Sequence, residues 1–229
     1  MSKRSLGIRK QAVIGLTALV VLLWLVLFLP VGSLNYWQAW TYWITFLMSV
    51  SAISIYFLKK DLSLIAGRLK VGPAAEKESN QRIFQSLASI FFILLILIPP
   101  FDHRFQWSQV PVYLVLSGDI FVVLGLLTIF LVFKENSFAS NVIEVGEGQK
   151  VKSTGPYGLV RHPMYSGALL MLLFTPIALG SFWGLLAFIP MFAAIVLRLL
   201  EEEKFLVKNL SGYDEYRQKV RYRLIPFIW

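Results

Sequence analysis

From Pro163 to Leu197 the chain runs for 35 residues without a charged side chain. As one helix this stretch would be about 52 Å long at 1.5 Å per residue. A bilayer's hydrocarbon core is only about 30 Å thick. The run therefore folds back on itself, and Gly180-Ser181, just after Pro176, is the natural turn. The expectation is a hairpin of two short, tightly coupled apolar helices.

Four further stretches are apolar enough to cross: Ala12–Leu29, Gln38–Leu58, Ile83–Phe101 and Val112–Phe133, the last interrupted only by Asp119. That gives an all-α polytopic membrane protein of about six spans. Composition agrees, with 57% hydrophobic and only 15% charged residues among 229 and a mean hydropathy of +0.66. Soluble domains carry about a quarter charged residues.

Charge placement tests the span count, because Lys and Arg favour the cytoplasmic side. With six spans, residues 1–11, 59–82, 134–162 and the tail from Arg198 share one side. They hold 21 of the 22 Lys and Arg residues; Arg104 alone lies opposite. Both termini and any site built from these segments are expected in the cytoplasm. The net charge of +9 is then explained by topology and by anionic lipid headgroups as partners, with no call for nucleic acid. The apolar run after MSKRSLGIRK exceeds a signal peptide's usual core and lacks a good cleavage site, so an uncleaved first span is expected. There is no cysteine and there are two histidines, His103 and His162. Disulfides, thiol nucleophiles and Cys- or His-rich metal sites are excluded.

Polar chemistry concentrates at two places. One is the irregular loop 134–162 and the start of the hairpin; the other is the helix end from Arg198. The hairpin brings them together. Leu62–Leu69 reads as a short interfacial amphipathic piece. The tail reads as a continuing helix, a break at Ser211-Gly212, a short helix YDEYRQKV, and the basic-aromatic RYRLIPFIW. Gly146-Glu147-Gly148 lacks the spacing of a phosphate-binding loop and reads as a flexible turn. Arg198 and Glu202 share a helix face. The acids Glu201-Glu202-Glu203 sit at a helix C-terminus, where the dipole disfavours anions, so a cation is expected nearby. Pro163 suits a helix's first turn, whose open N–H groups suit an anion. Asp119 is expected to snorkel or to pair with Arg104.

Gly155-Pro156-Tyr157, then Arg161-His162-Pro163-Met164-Tyr165 closed by Gly167, an apolar hairpin, Arg198 with Glu202-Glu203, Tyr213, Tyr216 and Leu224-Ile225-Pro226 form a layout. It resembles the isoprenylcysteine carboxyl methyltransferase family. Phospholipid N-methyltransferases share much of it. Asn136–Ser140 and Gln149-Lys150-Val151 look like bacterial members. The resemblance covers about residues 134–229, and the first three spans match in hydropathy alone. Members often carry His where this chain has Gln149, and a Leu-Val pair at Val151-Lys152.

The resemblance implies a membrane methyltransferase that uses S-adenosyl-L-methionine without a Rossmann domain. It divides the chain into four N-terminal spans, residues 1–133, and a catalytic region, residues 134–229. It implies that Gln149, Lys150, Val151, Lys152, Tyr157, His162, Pro163, Met164, Tyr165 and Glu202 line the cofactor. It implies that Arg198 faces and orients the methyl acceptor, a lipid-like carboxylate of the isoprenylcysteine type entering from the bilayer, with no metal involved. Phospholipid or amine N-methylation is the second enzymatic reading. A non-enzymatic scaffold or small transporter is the third, disfavoured because span interiors are nearly bare of polar groups.

Overall fold

The computed structural model describes residues 3–69, 72, 74, 76, 79–143, 145–146 and 148–229. Among these it is all-helical. The helices are α1 (Lys3–Phe28), α2 (Trp37–Lys60), α3 (Leu62–Arg68), α4 (Ser79–Phe105), α5 (Val112–Glu135), α6 (Pro163–Ala178), α7 (Leu185–Asn209) and α8 (Tyr213–Lys219). Four of them, α1, α2, α4 and α5, are long and apolar enough to cross a membrane. The expected hairpin is α6–α7. Its first arm has 16 residues, about 24 Å at 1.5 Å per residue. Its second arm is uncharged as far as Leu197 and charged after it; neither arm is among the four, so two of the six expected spans are not found as crossing helices among the described residues.

Each arm has an outer neighbour. α6 lies along α5 and α7 along α4, and the arms touch each other less than they touch these neighbours. The hairpin is thus more open than expected, because small residues draw α6 to α5 instead. A Cβ on Gly167 would lie 2.7 Å from the Gly125 carbonyl oxygen, and one on Gly118 would lie 2.6 Å from the Ala178 nitrogen. Small residues allow such backbone contact between membrane helices.

The turn between the arms is built from polar groups. Gly180 has φ +73, a left-handed conformation that favours glycine. Ser181 is fully buried and donates to Asp102 Oδ2, while Asp102 also accepts from the Ser108 N–H and hydroxyl at 2.6 Å each. Tyr36 donates to the Leu179 carbonyl at 2.6 Å. Asp102 has no sequence signal beyond being an acid at a helix end.

Asp119 departs from expectation. It is buried on α5, not snorkelling, and it faces Thr41 of α2. Arg104 does not reach it; that guanidinium donates to the Pro30 carbonyl at 2.8 Å, capping the α1 end. The two groups lie at different depths. Arg104 belongs to the last turn of α4, whereas Asp119 is about two turns inside α5.

Candidate functional site

The site forms where α6 begins and α7 sheds its apolar character. Gly155–Gly158 makes a single 3-10 turn. Gly155 has φ +57, and a Cβ there would press on the Glu135 carboxylate at 3.2 Å. Tyr157 is held from two sides. Asn136 Nδ2 donates to its hydroxyl at 3.0 Å, and the Tyr216 hydroxyl donates to its carbonyl at 2.7 Å. Burial pushes its phenol up to about 12, so it stays neutral across the physiological range.

Arg161 and His162 then meet the tail. Their N–H groups donate to the Tyr222 and Arg223 carbonyls at 2.9 Å each. Ser166 donates to the Leu224 carbonyl at 2.6 Å. The tail is therefore a strap laid over the start of α6. Arg161 Nε reaches Glu203 Oε1 at 2.6 Å, and Arg223 Nε reaches Glu203 Oε2 at 2.8 Å. The His162 imidazole lies 3.3 Å from Glu203 Oε1. This part of α7 lies after its uncharged stretch, which ends at Leu197. Burial pushes the Glu203 carboxyl up, but the hydrogen bonds from His162, Arg161 and Arg223 outweigh it and hold the group well below the usual carboxylate range. The three consecutive acids thus part company. Glu201 pairs with Lys204 on the surface, Glu203 anchors the motif, and Glu202 points into the cleft.

One cleft gathers all ten residues expected to hold the cofactor: Gln149, Lys150, Val151, Lys152, Tyr157, His162, Pro163, Met164, Tyr165 and Glu202. Residues that sequence reading did not assign to it are also in its walls, among them Asn136, Phe138, Arg161, Leu206, Tyr213 and Tyr216. Tyr213 and Tyr216 carried a signal, since they belong to the tail motif that marks the resemblance. Gln149 is engaged locally. Its Oε1 accepts from the Gly146 N–H at 2.9 Å, and its own N–H closes the turn onto the Gly146 carbonyl at 3.1 Å. Position 149 therefore needs a side-chain acceptor for the turn. Gly148, with φ +72, completes it.

Arg198 lies behind this cleft and is not in its wall. Its Nε donates to the Tyr165 hydroxyl at 3.1 Å, and that hydroxyl donates to Glu202 Oε2 at 2.7 Å. Its Nη2 donates to Glu76 Oε1 at 2.5 Å and to the Asn141 carbonyl at 2.9 Å. Nη1 is buried with no protein partner among the described residues. A guanidinium so engaged cannot clamp a carboxylate through two parallel N–H bonds, as a free Arg would. It offers one nitrogen. Glu76 was invisible to sequence reading, because it comes from the α3–α4 connection, 122 residues away.

The loop around Asn141 is fixed by α3. The Arg68 carbonyl accepts from Asn141 Nδ2 at 2.6 Å, and Arg68 Nη1 donates to the Ser140 carbonyl at 3.3 Å. Arg68 also covers the Phe133 ring at 4.9 Å. The short helix does more than lie at an interface: it holds one wall of the site.

The donor set fits a zwitterionic, cation-bearing ligand. Glu202 supplies a carboxylate. Pro163 at the first turn leaves the Met164 and Tyr165 N–H groups without helical partners, which suits an anionic group. The Tyr213 hydroxyl is buried in the cleft region without a partner among the described residues, and a buried hydroxyl ordinarily has one. No cluster of potential metal-ligating side chains occurs among the described residues.

Residues 113–212 match the model of the phospholipid methyltransferase family, a family related to the isoprenylcysteine carboxyl methyltransferases. The matched segment runs from α5 to the break after α7, so it includes Arg198 and all of the cleft lining except Tyr213 and Tyr216. Glu76 lies outside it. No curated protein matches the chain.

Proposed function

We propose that this chain, a membrane methyltransferase by its match to the phospholipid methyltransferase family over residues 113–212, uses S-adenosyl-L-methionine to methylate a lipid-like acceptor at the bilayer boundary. The observation that carries this reading is the Glu202–Tyr165–Arg198 chain of hydrogen bonds. It links a cleft suited to the cofactor with a buried guanidinium nitrogen suited to an acceptor's anionic oxygen.

S-adenosyl-L-methionine supplies an electrophilic methyl group on a cationic sulfur. Glu202 would pair with a cationic part of it, and the Met164 and Tyr165 N–H groups would receive its carboxylate. Tyr157, kept neutral, offers a ring face for cation–π or stacking contact. Tyr165 ties the two halves together, so its hydroxyl positions Glu202 and Arg198 at once. Rate enhancement would come from alignment and from exclusion of water.

The acceptor reading that needs least machinery is O-methylation of an isoprenylcysteine-type carboxylate. Such an acceptor is already ionised, so no general base is required, and Arg198 Nη1 would hold one of its oxygens. N-methylation of a phospholipid headgroup is the second reading, favoured by the description of the matched family. It requires a base to take the amine proton, and Arg198 cannot be that base. A cytoplasmic site with both termini on the same side follows from the Lys and Arg distribution; sidedness reporters fused to each terminus test it, and opposite sides would reject it.

The function is tested by labelled methyl transfer in nanodiscs, with farnesylcysteine analogues and phosphatidylethanolamine as separate acceptors. Glu202→Ala is expected to raise the cofactor KM at least tenfold. Arg198→Ala is expected to raise the acceptor KM. Unchanged turnover in both variants rejects the site, and no transfer to either acceptor rejects the function.

A further inference from the structure

Glu76 and Arg198 form an ion pair with side chains only 2% and 7% exposed. Glu76 Oε2 also accepts the Ile143 N–H at 3.2 Å, and its carbonyl accepts from Arg82 Nε at 2.8 Å. The acid is thus fixed independently of Arg198, by a loop and by the start of α4. It is held against one edge of the guanidinium while Nη1 stays buried and has no partner among the described residues.

We propose that Glu76 is a selectivity residue: by neutralising Arg198 and taking one edge of it, Glu76 limits how strongly the acceptor site attracts a free carboxylate. This rests on the methyl-transfer reading above, in which Arg198 faces the acceptor. Two physical consequences define it. With Glu76 ionised, the pair carries no net charge, so an anionic acceptor gains one hydrogen bond from Nη1 and little net Coulomb attraction. Without that charge, Arg198 becomes a buried unpaired cation, a state strongly disfavoured unless an anion compensates it. An acceptor carboxylate would then be that anion. Glu76 therefore trades affinity for carboxylates against tolerance of acceptors with a neutral or singly contacted head. A merely structural acid would hold the loop and leave this preference untouched.

The test uses binding, so that it stands apart from turnover. A fluorescent farnesyl probe bound to the full-length protein in nanodiscs is displaced by S-farnesylcysteine acid and, separately, by its carboxamide. The ratio of the two displacement constants is read for each variant. The ratio is insensitive to the fraction of molecules folded, because both ligands report on the same population. Glu76→Gln keeps the shape and an acceptor for the Ile143 N–H; it is expected to shift the ratio about tenfold toward the acid. Glu76→Asp keeps the charge and is expected to hold the wild-type ratio. Arg198→Gln leaves Glu76 unpaired and is expected to shift the ratio about tenfold toward the amide. A ratio within twofold of wild type in Glu76→Gln, or in Arg198→Gln, overturns the proposal, as does a wild type that binds neither ligand. A wild type that shows the expected ratios but transfers no methyl group rejects the proposed reaction and leaves the assignment of Glu76 standing.

Discussion

Glu203 accepts from Arg161 Nε at 2.6 Å across 42 residues of sequence, and both side chains are buried. The pair joins the start of α6 to the end of α7, and with Arg223 it ties both to the tail. Removing the acid leaves buried cations uncompensated, which costs about 3–5 kcal/mol for a pair of this kind. Glu203→Gln is expected to lower the unfolding midpoint in detergent by several degrees or to abolish folding. Scanning fluorimetry measures it. A midpoint unchanged from wild type would show the pair to be dispensable.

The same residue predicts an acid-side response. Its folded carboxyl is held below its unfolded value, which is about 4.3. A group depressed in this way contributes stability that is fully present above the unfolded value and is lost as pH falls toward the folded one. Its contribution should therefore be constant from pH 7 to about 5.5 and decline below about 4.5. In a Glu203→Gln protein that folds, this component of acid destabilisation should be missing. Midpoints recorded against pH for both proteins give the difference.

Tyr165→Phe removes one hydroxyl and two hydrogen bonds, to Glu202 and from Arg198. Both partners belong to the proposed reaction, so the variant should lose cofactor affinity and acceptor affinity together. A charge-assisted hydrogen bond contributes roughly 1.5–3 kcal/mol, or at least tenfold in a binding constant. Calorimetric titration with S-adenosyl-L-methionine checks the first loss, and acceptor KM the second. An effect on one ligand alone would break the link drawn between the halves of the site.

Gly167→Leu should separate α6 from α5. Even a Cβ at this position would meet the Gly125 carbonyl at 2.7 Å and Thr128 at 3.0 Å. Overpacking of a tight core costs about 1–3 kcal/mol, and a four-carbon side chain lies at the upper end. The expected readout is a lowered midpoint and weakened cofactor binding, since α6 carries Met164 and Tyr165. Gly15→Ala, where nothing among the described residues lies within 4 Å of the added carbon, is the neutral comparison.

Most of the scaffold was legible in the sequence because a membrane punishes exceptions. Long uncharged runs had to be helices, and the Gly180 turn had to fall near the middle of Pro163–Leu197. The cleft was legible too, but by resemblance: its ten expected residues lie on one contiguous loop and the two arms of one hairpin. What escaped was pairing across long sequence distances. Glu76 and Asp102 are isolated acids with no periodicity or spacing to mark them, and only folding shows that one meets Arg198 and the other Ser181. The partner of Arg198 escaped for the same reason, since an unseen acid holds one edge of its guanidinium. The Asp119–Arg104 pairing failed because helix ends, not charges, decide depth: Arg104 satisfies a carbonyl at the end of α1.

The strap over α6 bears on biosynthesis. Arg161 waits on carbonyls made 60 residues later, at Arg221 and its neighbours. At roughly 5–20 residues per second, that is a delay of about 3–12 s between synthesis of the start of α6 and synthesis of the strap that covers it. The strap is thus the last-made part of this end of the fold, and the proposed cofactor cleft is completed only with it.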